Sequence, residues 1–354
     1  ESGYPGYEAT NWYAYYAPAG TPKDVLARLH KELVDALNAP DVREQLDRQG
    51  GIDAPTRLYF AQKAFRHTGR YEAAIAGYFS QVEEREGAYV PAEIDETFPY
   101  RLGLTFEKVQ DLRYGENPHQ RGAFYSDLGS TLYSVAAARK MQGKELSFNN
   151  ILDLDAAWRL VTEIDEPACV IVKHTNPCGT GTGASPLEAY ERAWACDPTS
   201  AFGGILAFNE KVDAATARKV TGQFVEAVIA PGFAVEALKV LEKKANLRVM
   251  NMDTTGIHKA SGFDVRRVMG GLLAQQWDLH RLERDRCEVV TKRAPSEEEW
   301  KALLFAWTVV KHVKSNAIVF ANAVQTVGVG AGQMSRVDSA RIAAQKAVLP
   351  LAGT

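Results

Sequence analysis

Two adjacent residues with complementary chemistry, Lys173 and His174, follow a short apolar run at residues 168–172. A histidine can take up a proton near neutral pH, and a neighbouring ammonium can stabilise negative charge that develops on a carbonyl oxygen. Strand ends in α/β proteins present side chains to ligands, so the pair is a candidate catalytic centre. The residue types support equally a second interpretation, in which His174 packs beneath a loop at a solvated strand end.

A glycine-rich segment at residues 327–336 precedes a predicted helix. Small residues let backbone amides approach a ligand, and a helix N-terminus attracts anions. A tight turn explains the same composition at least as well. The Gly-Lys-Ser/Thr of a phosphate-binding Walker loop does not follow, so that motif is excluded.

The polar loop at residues 111–120 carries Arg113, whose guanidinium could bind a phosphate or carboxylate through two parallel hydrogen bonds. The alternative is a structural ion pair between Arg113 and Glu116. Taken alone, the loop favours this structural interpretation.

The segment around Cys178 lacks the zinc ligands of zinc deaminases, which need a His-x-Glu and a Pro-Cys-x-x-Cys motif. Pro177 and Cys178 are followed by Gly-Thr-Gly, and no His-x-Glu precedes them. We therefore expect no metal site.

The elements that must position these residues alternate between strands and helices after residue 99, which predicts an α/β fold. Strands are predicted at 168–172, 205–208 and 317–320, and helices at 212–224, 234–244, 300–313 and 337–347. Nearer the start, helices are predicted at 22–38, at 41–49, from residue 55 and at 71–79, and a charged linker at 83–96.

Composition limits the function classes. The 354 residues are 46% hydrophobic and 24% charged, which is typical of a globular protein with two or three domains. The net charge of −3, without a basic cluster, gives no reason to expect a nucleic acid or membrane partner. No apolar run approaches the roughly twenty residues of a membrane span. Four scattered cysteines suit the reducing cytoplasm.

Seven stretches in the same order resemble the bifunctional purine biosynthesis family, which joins AICAR transformylase to IMP cyclohydrolase. The resemblance extends from about residue 55 to residue 347. The stretches are 112–120 (LRYGENPHQ), 146–156 (LSFNNILDLDA), 172–179 (VKHTNPCG), 200–209 (SAFGGILAFN), 228–232 (VIAPG), 309–320 (VVKHVKSNAIVF) and 328–343 (GVGAGQMSRVDSARIA).

The resemblance implies a duplicated, cytidine deaminase-like transformylase without zinc. Four regions are expected on this basis. They are an appended segment at 1–52, closing helices of the cyclohydrolase domain with a linker at 53–97, a first transformylase subdomain at 98–285 and a partial second subdomain at 286–354.

The resemblance also implies a reaction, the transfer of a formyl group from 10-formyltetrahydrofolate to the 5-amino group of AICAR. By position, His174 is expected to be the base that takes the proton of that weakly nucleophilic amine. Lys173 is expected to stabilise charge on the formyl oxygen and the folate leaving group. Asn316 is expected to hold the AICAR carboxamide and to support His174.

Other positions are expected to bind the two substrates, again by resemblance. Arg113 and Tyr114 would bind the phosphate and ribose side of the nucleotide, Phe202 and Gly203 would line the base pocket, and Glu226 occupies a position that is acidic in the family. The residues expected to face the folate are Gln333, Met334, Ser335 and Arg336. A homodimer is the expected assembly, and no metal cofactor is implied.

Two departures from the family pattern, one towards each end of the chain, leave alternatives open. The phosphate-binding loops of the cyclohydrolase have no counterpart, so IMP cyclohydrolase activity is not expected. Residues 4–50 instead resemble the C-terminal end of the substrate-binding proteins of tripartite tricarboxylate transporters. The match fades after Lys346, so an incomplete second subdomain is expected. The alternatives are an inactive fragment that binds only the nucleotide and a periplasmic solute-binding module.

Overall fold

The computed structural model of the protein describes residues 23–38, 54–79, 81–91, 97–99, 102–127, 134–252 and 263–354. The chain divides into two compact units, Glu1–Gly103 and Leu104–Thr354. The helix predicted at 41–49 lies outside the described residues.

The described part of the first unit contains two helices and one hairpin. Its elements are α1 (Lys23–Asn38), α2 (Ala54–Phe79), β1 (Val82–Arg85) and β2 (Ala88–Pro91). The helix predicted at 22–38 is confirmed. The two helices predicted between residue 55 and residue 79 are one continuous helix, because Gly69 does not interrupt α2. A single glycine inside a helix costs only about 1 kcal/mol relative to alanine.

The stretch at 83–96, predicted as a linker, overlaps the β1–β2 hairpin, which runs from Val82 to Pro91. Glu86 and Gly87 form the turn, with φ angles of 53° and 83°. A two-residue turn with both central residues in the left-handed region has a twist that matches the twist of the two strands that it joins. The Gly87 amide donates a 2.5 Å hydrogen bond to the Glu84 carboxylate, which fixes the turn further.

The second unit is a mixed α/β structure. Its strands are β3 (Phe106–Leu112), β4 (Gly122–Asp127), β5 (Arg139–Gln142), β6 (Ala168–Lys173), β7 (Asn176–Thr182), β8 (Ile205–Phe208), β9 (Ala227–Ala230), β10 (Arg248–Asn251), β11 (Phe263–Val268), β12 (Gly271–Gln276), β13 (Ile318–Ala321) and β14 (Thr326–Gly330). Its helices are α3 (Phe148–Val161), α4 (Pro186–Cys196), α5 (Pro198–Ala201), α6 (Ala214–Thr221), α7 (Val235–Leu241), α8 (Glu297–Lys311) and α9 (Arg336–Lys346), with short 3-10 turns at Val135–Ala137 and Arg284–Arg286.

Six strands form the central sheet, in the order β5-β10-β9-β8-β6-β7. The three middle strands β10, β9 and β8 are parallel, and the other neighbours pair antiparallel. Alternate side chains enter two separate hydrophobic cores, because successive residues of a strand point to opposite faces. Val170 and Ile229 join the core that contains α3, whereas Ile171 and Val228 join the core that contains α4.

The helix starts follow from capping residues in the sequence. Ser147 caps α3 and Ser296 caps α8, each in a reciprocal capping box. Asp213 caps α6 by accepting the Thr216 amide at 2.7 Å. This cap sets the start of the helix predicted at 212–224, which is shorter in the structure because it ends at Thr221, with Gly222 as its C-cap.

Residues 176–182 form β7, a strand at the edge of the six-stranded sheet, although Pro and Gly are more common in turns than in strands. Pro177 is tolerated there because an edge strand needs only one row of hydrogen bonds. Gly179 and Gly181 lie against backbone atoms of Ala193 and Ala189 in α4, so a side chain at either glycine would collide with the helix. Glycine at both positions therefore lets α4 pack closely against β7.

The β13–β14 hairpin lies beside β7. Gly181 and Gln325 form an isolated antiparallel bridge, and the Thr180 amide donates to the Thr326 hydroxyl at 2.9 Å. Residues of α8 and β13 enter the same hydrophobic core as α3. The predicted boundary between residues 285 and 286 stays a prediction.

Within the described residues, no helix is both long and apolar enough to cross a membrane.

Candidate functional site

The β6–β7 hairpin presents the Lys173-His174 pair. Lys173 pairs with Asn176 at the end of the hairpin, and His174 and Thr175 form the two-residue turn between them. The Lys173 ammonium donates a 2.8 Å hydrogen bond to the carbonyl of Phe202. An ammonium has three N–H donors, and this is the one hydrogen bond that the Lys173 ammonium donates among the described residues. The His174 side chain is exposed and its imidazole forms no hydrogen bond with any described residue.

The turn itself has an uncommon backbone. His174 and Thr175 have φ angles of 54° and 60°, in the left-handed region that non-glycine residues rarely adopt. The carboxylate of Asp153, from α3, accepts both of their amides, at 3.2 Å from His174 and 2.6 Å from Thr175. The His174 side chain itself is exposed, which disagrees with the alternative interpretation that it packs beneath a loop.

A second loop is tied to this turn. The Asn176 side chain donates to the His174 carbonyl at 3.1 Å and accepts the amide of Lys314 at 3.0 Å. Two residues later, the Asn316 side chain donates to the Gln333 carbonyl at 3.0 Å. Side-chain to backbone hydrogen bonds thus tie the turn to the segment after α8 and tie Asn316 to Gln333, and no hydrogen bond joins Asn316 to His174 among the described residues.

A cleft of about 570 Å³ opens beside the turn. Its lining residues come from the β6–β7 hairpin, from the region of α5 and from the β14–α9 segment. They are Lys173, His174, Asn176, Pro177, Cys178, Cys196, Asp197, Thr199, Ser200, Gly328, Val329, Ala331, Gln333, Ile342 and Lys346.

Two more charged side chains, Lys346 and Asp197, line the same cleft as Lys173. The Lys346 ammonium lies 3.4 Å from the Asp197 carboxylate and 3.2 Å from the Ser200 hydroxyl. Asp197 also caps α5 by accepting the Ser200 amide at 2.9 Å. The cleft therefore holds two ammonium groups and one carboxylate, a charge pattern suited to a ligand with negative groups.

The cleft cysteines remain protonated at neutral pH. Burial raises the pKa of Cys178 to about 12 and that of Cys196 to about 11. A thiol rather than a thiolate is a weak nucleophile, so neither residue is a candidate for covalent catalysis. All four cysteines of the chain are free.

Three predicted nucleotide-binding residues lie outside the cleft lining. The Phe202 ring stacks at an angle on Phe224, with centroids 5.2 Å apart, and Gly203 has a φ of 73°. Glu226 forms a 2.6 Å ion pair with Arg248. Phe202 is nevertheless linked to the site, because its carbonyl accepts the Lys173 hydrogen bond.

Arg113 and Tyr114 lie in the loop after β3 and do not line the cleft. The Arg113 guanidinium lies 6.0 Å from the centre of the Tyr114 ring. The alternative ion pair with Glu116 is not among those formed by the described residues. The loop is attached to α3 by a 3.4 Å hydrogen bond from the Asn149 side chain to the Glu116 carbonyl.

Only the first of the four predicted folate-facing residues lines the cleft. Met334 and Arg336 are exposed, and the Ser335 hydroxyl caps α9 by accepting the Asp338 amide at 3.4 Å. Two of the glycines in this segment, Gly328 and Gly330, lie in β14, where a side chain at either position would collide with the backbone of α9.

Residue-by-residue reasoning missed Asp153, Asp197 and Lys346. The Asp-Pro pair at 197–198 is a recognisable helix-start signal, so Asp197 could have been placed at a helix N-terminus. The positions of Asp153 and Lys346 carry no local signal, because each reaches the site only through the packing of its helix. In the described part of the chain, no group of three or more His, Cys, Asp or Glu side chains could hold a metal ion.

Comparison with known proteins gives the lineage of this site. The family model described as the AICARFT/IMPCHase bienzyme matches residues 32–346. The bifunctional purine biosynthesis protein PurH of Neisseria meningitidis serogroup C is 49% identical over 317 residues, covering 89% of this chain and 60% of the relative. PurH of Neisseria gonorrhoeae has the same identity and coverage. The chain therefore spans about 60% of the length of these relatives.

A match over 315 residues, counted from 32 to 346, covers most of the 354-residue chain. The cleft residues from Lys173 to Lys346 all lie within the matched range. The chain belongs to the AICARFT/IMPCHase bienzyme family.

Proposed function

We propose that the chain transfers the formyl group of 10-formyltetrahydrofolate to the 5-amino group of AICAR, in purine biosynthesis. The observation that carries the proposal is the meeting of Lys173, His174 and Gln333 in one cleft of a chain from this family. The names of the relatives, which describe bifunctional purine biosynthesis proteins, support the same pathway.

The proposed chemistry needs a base and a partner for developing negative charge. The amine nitrogen attacks the formyl carbon, His174 takes the amine proton, and the bond from the formyl carbon to the folate nitrogen breaks as that nitrogen is protonated. The imidazole of His174, which no described residue engages in a hydrogen bond, supports this role. Lys173 donates one hydrogen bond to a described residue, and its two other N–H groups support its role at the formyl oxygen.

The remaining proposed roles concern substrate binding. The Asn316 side-chain nitrogen is engaged by Gln333, whereas its oxygen accepts no hydrogen bond from a described residue and is proposed to bind the AICAR carboxamide. We assign Arg113, Tyr114, Phe202, Gly203 and Glu226 to the nucleotide. The exposed Met334 and Arg336, with Gln333 and Ser335, are assigned to the folate.

Two wider assignments accompany this function. We assign the unit to a cytidine deaminase-like subdomain, which agrees with the helices on both faces of the central sheet. A homodimer is the proposed assembly. The free cysteines agree with a reaction in the reducing cytoplasm.

The test is turnover by the full chain with AICAR and 10-formyltetrahydrofolate, measured as tetrahydrofolate formation. His174→Ala should lower kcat by about 10² to 10⁴, the usual contribution of a general base. The matched control is His280→Ala, which removes an exposed imidazole that lines no part of the cleft. Its kcat should remain that of the wild-type chain.

Calorimetry with AICAR separates the alternatives. If well-folded wild-type protein binds AICAR but shows no turnover, the proposal is wrong and the chain is one that only binds the nucleotide. If the protein shows no AICAR binding and no turnover, both the formyl-transfer proposal and this alternative are rejected. Tricarboxylate binding would be needed to support a solute-binding module.

A further inference from the structure

The turn that carries His174 is unfavourable by itself. Both central residues are left-handed, and neither is a glycine. Thr175 is the more strained of the two, because a β-branched side chain fits the left-handed region poorly. Such a conformation persists only where surrounding contacts hold it.

Asp153 supplies those contacts. Its Oδ2 accepts the His174 amide at 3.2 Å, and its Oδ1 accepts the Thr175 amide at 2.6 Å. One carboxylate thus binds both amides of the turn through charge-assisted hydrogen bonds, which are stronger than neutral ones. Neither carboxylate oxygen bonds the His174 imidazole within the described structure.

The carboxylate is itself held in place. Asp153 lies in α3, whose first turn is closed by reciprocal hydrogen bonds between Ser147 and Asn150. The next residue, Leu154, is fully buried in the core beneath the sheet. The helix therefore presents Asp153 to the turn from a fixed position.

We propose that Asp153 is a positioning residue for the formyl transfer, which directs the His174 imidazole by holding the turn in its left-handed conformation. The inference rests on the proposed function. The direction of the bond from Cα to Cβ follows from the backbone angles, so a turn that relaxes to another conformation points the imidazole away from the cleft. The Asn176 hydrogen bond to the His174 carbonyl helps to hold the same peptide, but it cannot replace the two amide contacts.

Asp153→Ala should lower kcat on the order of 10²-fold, the usual effect of displacing a reacting group by about 1 Å. The KM for AICAR should change much less, because the variant leaves the residues assigned to the nucleotide in place. Asp153→Asn should fall between wild type and Asp153→Ala, since an amide offers one acceptor oxygen where the carboxylate offers two.

A second variant tests the mechanism of the effect. Glycine adopts positive φ freely, so Thr175→Gly should relieve the strain that Asp153 offsets. The double variant Asp153→Ala/Thr175→Gly should have a kcat about tenfold higher than that of Asp153→Ala. This recovers part of the roughly 10²-fold loss expected from misplacing His174. A wild-type kcat in Asp153→Ala, or no recovery in the double variant, would overturn the inference.

The matched control is Asp213→Ala. Asp213 also accepts a backbone amide, that of Thr216 at 2.7 Å, but it caps α6 and does not line the cleft. Its loss should lower the melting temperature and leave kcat unchanged. An equal loss of kcat in both variants would show that general destabilisation, and not positioning, explains the result.

Amide hydrogen exchange at His174 and Thr175 keeps this inference separate from the proposed function. Exchange should be faster in Asp153→Ala than in the wild type, whether or not the chain turns over AICAR. Unchanged exchange would overturn the role of Asp153. Absence of turnover in the wild type, with the expected change in exchange, would count against the proposed reaction alone.

Discussion

At the scale of single residues, one carboxylate connects three segments that are distant in sequence. Glu163, just beyond α3, accepts hydrogen bonds from Lys311 and His312, each at 2.8 Å. The Lys311 ammonium also donates to the His280 carbonyl at 3.1 Å. Burial raises the pKa of Glu163, but the hydrogen bonds from His312 and Lys311 outweigh it, so the pKa lies below its usual value of 4.5.

This lowered pKa makes the stability of the chain depend on pH. The ionised form of Glu163 is favoured by folding, so its contribution is fully present above pH 4.5 and is lost as the pH falls through the folded-state pKa. Glu163→Gln should lower the free energy of unfolding at pH 7 by roughly 2 kcal/mol, within the range for hydrogen bonds to charged groups.

The measurement is urea unfolding of both proteins at several pH values. The difference between wild type and Glu163→Gln should shrink below pH 4.5. The control Glu236→Gln removes an exposed carboxylate and should change the free energy of unfolding by less than about 0.5 kcal/mol. A difference that stays constant with pH would contradict the assignment.

At the scale of elements, glycines set how closely a helix can approach a strand. Gly328 and Gly330 in β14 face the backbone of Ala343 and Ser339 in α9, with no room for a side chain. Gly179 and Gly181 play the same part between β7 and α4. Both strands border the cleft, so this close packing also determines its shape.

Gly330→Ala should therefore destabilise the chain, because the added methyl group forces α9 away from β14. We expect a loss of about 1–3 kcal/mol, the usual effect of overfilling a packed site, seen as a lower melting temperature. Gly271→Ala is the control, since its neighbours leave space for a methyl group and its φ is not in the left-handed region. A neutral Gly330→Ala would show that the helix and strand separate at little cost.

At the scale of the whole molecule, the compact unit Leu104–Thr354 is organised by a sheet that is buried on both faces. Adjacent residues of one strand then belong to different cores. Ile229 packs on the side of α3 and Val228 on the side of α4, and both are almost completely buried. Parallel central strands need this two-sided cover, which explains their continuous apolar sequence.

Substitutions at two neighbouring positions of β9 should both destabilise the chain. In a strand with one exposed face, only one of two neighbouring substitutions would do so. Ile229→Ala should lower the free energy of unfolding by about 2–5 kcal/mol. Val228→Ala should lower it by on the order of 2 kcal/mol, from the loss of two methyl groups. Leu273→Ala in β12, with a side chain 61% exposed, should change it by less than about 0.5 kcal/mol. Unfolding in urea measures all three, and a tolerated Val228→Ala would contradict a sheet covered on both faces.

The sequence by itself determined much of the local structure. Apolar runs predicted β6 and β8, and the sequence predicted helices α1, α8 and α9 to within a few residues. It also placed the Lys173-His174 pair at a strand end, and the motifs around it indicated the family. These features depend on near neighbours in the chain, whose periodicity and capping are visible without the fold.

Tertiary structure alone decided how that pair is presented. Residues 176–182 have the composition of a turn, yet they form a strand because β6 and α4 provide the hydrogen bonds and the packing surface. Asp153 and Lys346 reach the turn and the cleft from positions 21 and 172 residues away from His174, counted along the chain. Such convergence depends on how helices pack on the sheet, a long-range property that local sequence patterns do not encode.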